Sequence, residues 1–153
     1  SADTCGTFSY ELDIDEETGT PKISMIASSK TGRVLAETAT FYVREVCLGA
    51  AQAAGVSLSD IDFFIFHTPM PWFVPFAARA LEIDPAKTVC TNKFYGNTGP
   101  ALMPANLHYA VQTGRIKRGD LVLLQSIGSA SSAGAVVMRW NAPGLGPSPA
   151  HVT

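Results

Sequence analysis

Charged residues are scarce in this chain of 153 residues. Asp, Glu, Lys and Arg together make up 16% of it, whereas about a quarter is usual for soluble domains. Apolar residues make up 46%, which excludes a disordered chain and is enough to build one core at this length. Such a low charged fraction suggests that something else covers part of the folded surface.

Other absences exclude whole classes of protein. No apolar run approaches the roughly 18–20 residues of a membrane helix, and no basic segment followed by an apolar one resembles a signal peptide. The 11 Lys and Arg residues never cluster, which argues against a nucleic-acid partner. The three cysteines, Cys5, Cys47 and Cys90, are an odd number without CxxC spacing, so we predict neither disulfides nor a metal site. We expect a cytoplasmic protein.

Hydrophobic periodicity predicts strands that alternate with helices. Strands are predicted at 8–14, 22–27, 61–66, 88–91, 121–126 and 135–140, and helices at 38–54, 72–81 and 99–113. The first strand should be half-buried and the last two antiparallel. The fold class is therefore α/β, a mixed sheet flanked by helices. We divide the chain into an N-terminal strand or hairpin segment (1–37), a main domain (38–140) and a flexible tail (141–153).

His67 is the first candidate functional residue. It directly follows the apolar run 61–66, and the carboxyl end of a strand is where α/β sheets place ligands and catalytic groups. His108, inside a helix, and His151, in the tail, lack that placement. The alternative is a structural histidine that is hydrogen-bonded at a strand end.

Two loops rich in small residues supply the other candidates. Asn97, in the segment 95–99 (YGNTG), either donates its amide to a substrate oxygen or caps the helix that follows. An amide and a histidine that donate to one oxygen would stabilise an oxyanion or an enolate. The segment 126–134 is rich in Ser and Gly, and it either contacts a ligand through its backbone or forms a tight turn between strands.

None of the cysteines is predicted to be a nucleophile. Cys47 falls on the buried face of a predicted helix, Cys90 falls inside a short strand, and Cys5 lies close to the terminus. A nucleophilic cysteine usually lies at a helix N-terminus or beside a base.

Taken in order, these segments resemble the C-terminal half of the ketoacyl-acyl-carrier-protein synthase III family, within the thiolase superfamily. The matching stretches are IDFFIFH (61–67), YGNT (95–98), GRIKRGDLVLL (114–124) and the stretch from 127 to 140. The interval of 30 residues between His67 and Asn97 agrees with the family's spacing between its active-site His and Asn.

That family has a Cys–His–Asn triad in a five-layer αβαβα fold. The resemblance implies that His67 and Asn97 are the catalytic His and Asn, and it places Ile127, Gly128 and Ser129 in the substrate site. In the family, the Cys takes an acyl group from a thioester. The His and Asn then hold the carbonyl of a malonyl unit while it loses carbon dioxide, and the resulting carbanion attacks the acyl-Cys.

Two features depart from the family's pattern. The nucleophilic Cys belongs to an N-terminal half, so we expect a complementary half as a partner and a homo-oligomer of the assembled unit. Where the family has His-Gln-Ala-Asn and then a basic residue, this chain has HTPMPW (67–72). Trp72 therefore predicts hydrophobic recognition of the acyl-CoA or acyl-carrier-protein thioester. The resemblance implies no cofactor.

The predicted function is part of a ketoacyl synthase III-like acyltransferase that performs a decarboxylative condensation in fatty-acid or polyketide-type biosynthesis. One alternative is an acyltransferase that forms an ester or an amide, as in the family's secondary-metabolism branch. Others are a non-catalytic structural half of a split synthase and an unrelated α/β binding module. The presence of both His67 and Asn97 argues against the non-catalytic half.

Overall fold

A computed structural model describes residues 8–128 and 132–141. Its elements in chain order are β1 (Phe8–Ile14), β2 (Pro21–Ala27), α1 (Thr31–Ala53), β3 (Phe63–Phe66), α2 (Phe73–Leu81), α3 (Asn92–Tyr95), α4 (Leu102–Gln112), β4 (Leu121–Gly128) and β5 (Ser132–Arg139). Within these residues, no helix is both long and apolar enough to span a bilayer. The predicted tail, apart from Asn141, lies outside the described residues.

A three-stranded mixed sheet forms the centre of the fold. β3 runs parallel to β4, and β4 runs antiparallel to β5, which confirms the predicted orientation of the last two strands. All four residues of β3 are buried. Side chains that are apolar on both faces suit a central strand, since helices cover it from both sides.

Helices pack on the two faces of this sheet. Successive side chains of a strand point to opposite faces, so Phe64 and Phe66 pack with α1 and α2, while Phe63 and Ile65 pack with α4. The predicted mixed sheet flanked by helices is confirmed. The carboxyl ends of β3 and β4 lie together at one edge, because these strands are parallel.

Helix α1 is longer than predicted and buries a different stripe. It begins at Thr31 rather than at 38, so it crosses the boundary drawn between 37 and 38. In its first turns (TGRVLAET, 31–38) the apolar residues are consecutive and so mark no single helix face. Val43, Cys47 and Ala51, spaced by four, are buried, whereas Phe41 is 60% exposed. Phe41, an apolar residue within the predicted helix 38–54, therefore lies outside the core.

The β1–β2 hairpin is confirmed as a pair of antiparallel strands, but its apolar side is not buried. Directly opposed residues share a face, and the pair Leu12 and Ile23 lies on the face that also carries Tyr10 and Ile14. All four side chains are mostly exposed, Leu12 by 75%. The predicted half-buried strand is therefore wrong for the described residues, since periodicity shows which side chains share a face and not what covers them.

Two segments beside the sheet also differ from the prediction. Residues 88–91 form a single bridge between Thr88 and Phe64 instead of a strand, and the N–H of Thr91 donates to the side chain of Asn106 (2.8 Å). The predicted loop 92–98 contains the one-turn helix α3. In the segment 126–134, β4 continues to Gly128 and β5 begins at Ser132, and the three residues between them lie outside the described residues.

Candidate active site

His67 lies one residue beyond β3, at the carboxyl edge of the sheet. Its backbone N–H donates to the carbonyl of Gln125 (2.8 Å), so pairing with β4 continues past the end of the strand. The side chain is only 8% exposed, and ring Nδ1 lies 3.1 Å from the carbonyl oxygen of Ile127. A carbonyl oxygen only accepts, so Nδ1 carries a proton in this hydrogen bond.

Asn97 lies at the same edge, on the loop that follows α3. Gly96 ends that helix with φ of 66° and ψ of −162°, a backbone conformation essentially restricted to glycine. The Asn97 side chain is exposed, and its Oδ1 accepts a hydrogen bond from the N–H of Gly99 (3.0 Å). The amide oxygen thus holds the local backbone, in partial agreement with the capping alternative, and the amide nitrogen stays available.

The fold brings His67 and Asn97 together, with ring Nε2 at 3.3 Å from Oδ1. Both ring nitrogens therefore face oxygens, and both contacts are hydrogen bonds only when the imidazole carries two protons. No group in the described residues accepts a hydrogen bond from Asn97 Nδ2, which is bonded to the same carbon as Oδ1. The pair can offer two N–H donors to an oxygen that approaches this edge.

The end of β4 supports the histidine. The carbonyl of Ile127 accepts a hydrogen bond from the His67 ring and so orients it. The next residue, Gly128, leaves room for Ser132, because a Cβ at position 128 would lie 2.6 Å from Ser132 Oγ. Ser129, the third predicted substrate-binding residue of this segment, lies outside the described residues.

Trp72 lies at the start of α2, on the chain that leaves His67. Its indole contacts the rings of Phe73 and Phe76, with centroids 6.1 and 6.0 Å apart, but it is 59% exposed. Phe73 is buried in the core, and Phe76 packs against that core while partly buried. The structure therefore leaves most of the indole free to contact another molecule.

Comparison with known families identifies the fold that carries this site. Residues 51–140 match the family described as "3-Oxoacyl-[acyl-carrier-protein (ACP)] synthase III C terminal", which is more than half of the chain. The chain belongs to the synthase III family. The family resemblance in the sequence is thus confirmed, and His67, Trp72 and Asn97 all lie inside the matched segment.

Relatives within the synthase III family are considerably longer than this chain. The "Beta-ketoacyl-[acyl-carrier-protein] synthase III" of Mesorhizobium japonicum is 38% identical over 109 residues, a match that covers 71% of this chain and 34% of that protein. The chain therefore spans about a third of the length of the curated relatives that it matches.

Solved synthase III structures share the fold. The 3-oxoacyl-[acyl-carrier-protein] synthase III of Aquifex aeolicus aligns with a TM-score of 0.67 and 29% identity, over 87% of this chain and 42% of that one. The enzyme of Thermus thermophilus gives 0.70 and 27%, over 88% and 46%. These similarities confirm the predicted thiolase-like α/β fold.

Sequence reasoning missed the asparagines that hold the two segments of the site. Asn106 is fully buried on the same line of α4 as Leu102 and Ala110, which are also buried. One signal in the sequence could have found it, because Asn106 is the middle position of a stripe (i, i+4, i+8) whose other two members are apolar. An amide buried at such a position must be hydrogen-bonded. Asn92 gives no such signal, since it begins a helix of one turn.

The cysteines of the described residues do not supply a nucleophile to this site. Cys47 is fully buried, and desolvation raises the pKa of its thiol to about 12, so it stays protonated at neutral pH. Cys90 is half-buried. Neither thiol is hydrogen-bonded to His67, whose ring contacts within 8–128 and 132–141 are Ile127 and Asn97.

Proposed function

We propose that this synthase III family chain contributes His67 and Asn97 to the active site of an acyltransferase that performs a decarboxylative condensation. The observation that carries the proposal is the 3.3 Å contact between Nε2 and Oδ1. It lies at the carboxyl edge of the sheet, where α/β folds place their ligands. It also lies inside the segment that matches the family.

The two side chains act on the thioester carbonyl of a malonyl unit. When the bond between its methylene carbon and its carboxylate breaks, carbon dioxide leaves and the electron pair passes into the carbonyl as an enolate. The Nε2–H of His67 and the Nδ2–H of Asn97 donate to the enolate oxygen, which lowers the barrier because these donors are already in place. The hydrogen bond from Nδ1 to Ile127 keeps the ring in this orientation.

The second step needs an acyl group on a cysteine outside the described residues. The enolate carbon attacks the acyl-thioester carbon, the new C–C bond forms, and the cysteine leaves as a thiolate. We place this cysteine on a complementary N-terminal region, because the curated relative is about three times as long as the part that this chain matches. The exposed apolar face of the β1–β2 hairpin supports burial against further protein.

The scheme assigns acyl-CoA or acyl-carrier-protein thioesters as substrates and requires no cofactor of the protein itself. We expect the assembled unit to form a homo-oligomer. Turnover needs both this chain and the complementary N-terminal region. The isolated chain should aggregate, because its charged fraction is only 16% and the face that carries Leu12 and Ile23 is exposed.

The test combines assembly with activity. Intact-mass analysis of a stable preparation should show this chain joined to, or bound with, a further region of roughly 170–200 residues, an ordinary domain size. That preparation should convert malonyl-CoA to acetyl-CoA and carbon dioxide, followed by mass spectrometry. A 16.2 kDa monomer that melts cooperatively and scatters as a single species would contradict the assembly proposal. A stable complete assembly that never decarboxylates malonyl thioesters would contradict the reaction.

Trp72 is proposed to contact the thioester substrate through its exposed indole. An aromatic cluster cannot pair with phosphate as an Arg or Lys does, so affinity should depend only weakly on ionic strength. Trp72→Arg should introduce a salt dependence that the parent lacks, measured as KM for malonyl-CoA at low and at high salt. Phe94→Arg, at another exposed aromatic ring, is the control. A parent KM that already rises steeply with salt would contradict hydrophobic recognition.

A further inference from the structure

Asn106 of α4 is a buried amide whose hydrogen bonds all reach the two segments that carry the site. The residue is 0% exposed. Its Oδ1 accepts from the N–H of Thr91 (2.8 Å) and from the Thr91 hydroxyl (2.7 Å). Its Nδ2 donates to the carbonyl of Phe66 (2.9 Å) and to Oγ1 of Thr68 (3.0 Å). Oxygen and nitrogen are both fully used, so the amide has a single fixed orientation.

These bonds join two chain segments that the sheet does not join at this edge. Phe66 and Thr68 are the neighbours of His67 on either side, whereas Thr91 begins the segment that leads through α3 to Asn97. The single bridge at Thr88 is the backbone pairing between 63–66 and 88–91, three residues before Thr91. Beyond that bridge, the Asn106 side chain takes the place of ladder hydrogen bonds.

Asn92, the first residue of α3, adds a second connection between the same segments. Its Nδ2 donates to the carbonyl of Thr68 (3.0 Å) and lies 3.2 Å from that of Pro69. The chain that follows His67 is therefore hydrogen-bonded by two amides, Asn106 of α4 and Asn92, which lies five residues before Asn97. We call Asn92 and Asn106 the amide clamp.

We propose that Asn106 is a positioning residue that sets the distance between His67 and Asn97. The inference rests on the proposed function, since it concerns the same pair. Asn97 is exposed and flanked by Gly96 and Gly99, both with positive φ, so its own loop holds it weakly. A misplacement of about 1 Å costs about 10²-fold in rate. The amide clamp supplies the constraint that the loop lacks.

The flanking residues on this stripe, Leu102 and Ala110, are apolar and fully buried, and an apolar residue at 106 would extend their packing. It would also leave the Phe66 carbonyl and the Thr91 N–H without their present partners, and both lie next to the site. The position of these bonds, all at the carboxyl edge, points to alignment of the catalytic pair.

The first test is spectroscopic and needs no substrate. In the complete protein with ¹⁵N-labelled histidine, Asn106→Ala should shift the His67 Nε2 resonance towards the value that Asn97→Ala produces, because the contact with Oδ1 is lost in both. Thr68→Val removes only one of the four bonds and should give a smaller shift in the same direction, and it serves if Asn106→Ala fails to fold. An unchanged Nε2 resonance in a folded variant would overturn the proposal.

The second test is a double-mutant cycle on malonyl-CoA decarboxylation. Asn106→Ala should lower kcat about 10- to 100-fold and leave KM within about threefold. In an Asn97→Ala background the same substitution should lower kcat less than about threefold, since the aligned partner is already absent. Equal losses in both backgrounds would overturn the positioning role.

Thr88→Val is the matched control. Thr88 is a buried threonine whose hydroxyl donates to the carbonyl of Pro85 (2.9 Å), so its loss lowers stability without touching the amide clamp. Thr88→Val should leave kcat and the Nε2 resonance unchanged. A drop in kcat equal to that of Asn106→Ala would assign the effect of both substitutions to stability alone.

The failure of the proposed function can be distinguished from the failure of the positioning role. Parent-like rates for His67→Ala together with a shifted Nε2 resonance in Asn106→Ala would reject the proposed function and keep the positioning role.

Discussion

His67→Ala and Asn97→Ala are each expected to slow malonyl-CoA decarboxylation by about 10²–10³-fold, the usual cost of losing one oxyanion donor. His67 provides Nε2 from a ring held by Ile127, and Asn97 provides Nδ2 beside it. Each variant keeps the other donor, so neither should abolish turnover. The measurement is the rate of acetyl-CoA formation by the complete protein at saturating malonyl-CoA.

Acylation of the protein should survive these substitutions better than decarboxylation does, because a thiolate on the complementary region performs that step. Mass spectrometry after a single turnover with acyl-CoA separates the two steps. His108→Ala, in the middle of α4, and Asn141→Ala, at an exposed position, are the matched controls and should behave as the parent. Parent-like decarboxylation by either His67→Ala or Asn97→Ala would show that the assignment of that residue is wrong.

Phe64→Ala is expected to destabilise the protein by about 3–5 kcal/mol, because it deletes a large side chain from a fully packed position. Phe64 is 0% exposed and belongs to the cluster under α1 and α2. Its ring stacks on Phe66, with centroids 6.2 Å apart. The measurement is the free energy of unfolding in denaturant, on whichever assembly purifies as a stable species.

Phe41→Ala is the matched control, since it makes the same chemical change on the exposed face of α1. Its ring contacts Tyr42 edge-on but is largely in solvent, so the expected loss is less than about 1 kcal/mol. A loss at Phe41 as large as that at Phe64 would show that the face is covered in the assembled protein. A loss below about 1 kcal/mol at Phe64 would contradict the packing described for β3.

The central part of the fold was predictable from local pattern. β3 is apolar on both faces, which is the signature of a strand covered on both sides, and all four of its residues are buried. The helices at 73–81 and 102–112 and the antiparallel final strands were also predictable, because caps, glycines and alternation are local signals. The start of α1 was not predictable, since the apolar residues at 34–36 are consecutive and mark no single helix face.

The candidate site, too, was predictable from the sequence only in part. His67 stood out because it follows a buried strand, and Asn97 because two glycines flank its loop. Their contact could be predicted only through the family's spacing, since the segment between them folds into α2 and α3. Asn106 was missed, because one amide in an apolar stripe shows that hydrogen bonds are needed and not where their partners lie.

The sequence by itself determined the α/β class, the central strand, the strand-end histidine and the family, since each depends on residues close together or on motifs in order. Only the tertiary structure decided which apolar faces are covered, as Leu12 and Phe41 show by their exposure. It alone decided that Nε2 of His67 faces Asn97 and that Asn106 holds both segments. The physical reason is that burial and hydrogen-bond partners depend on elements distant in sequence, which local periodicity does not specify.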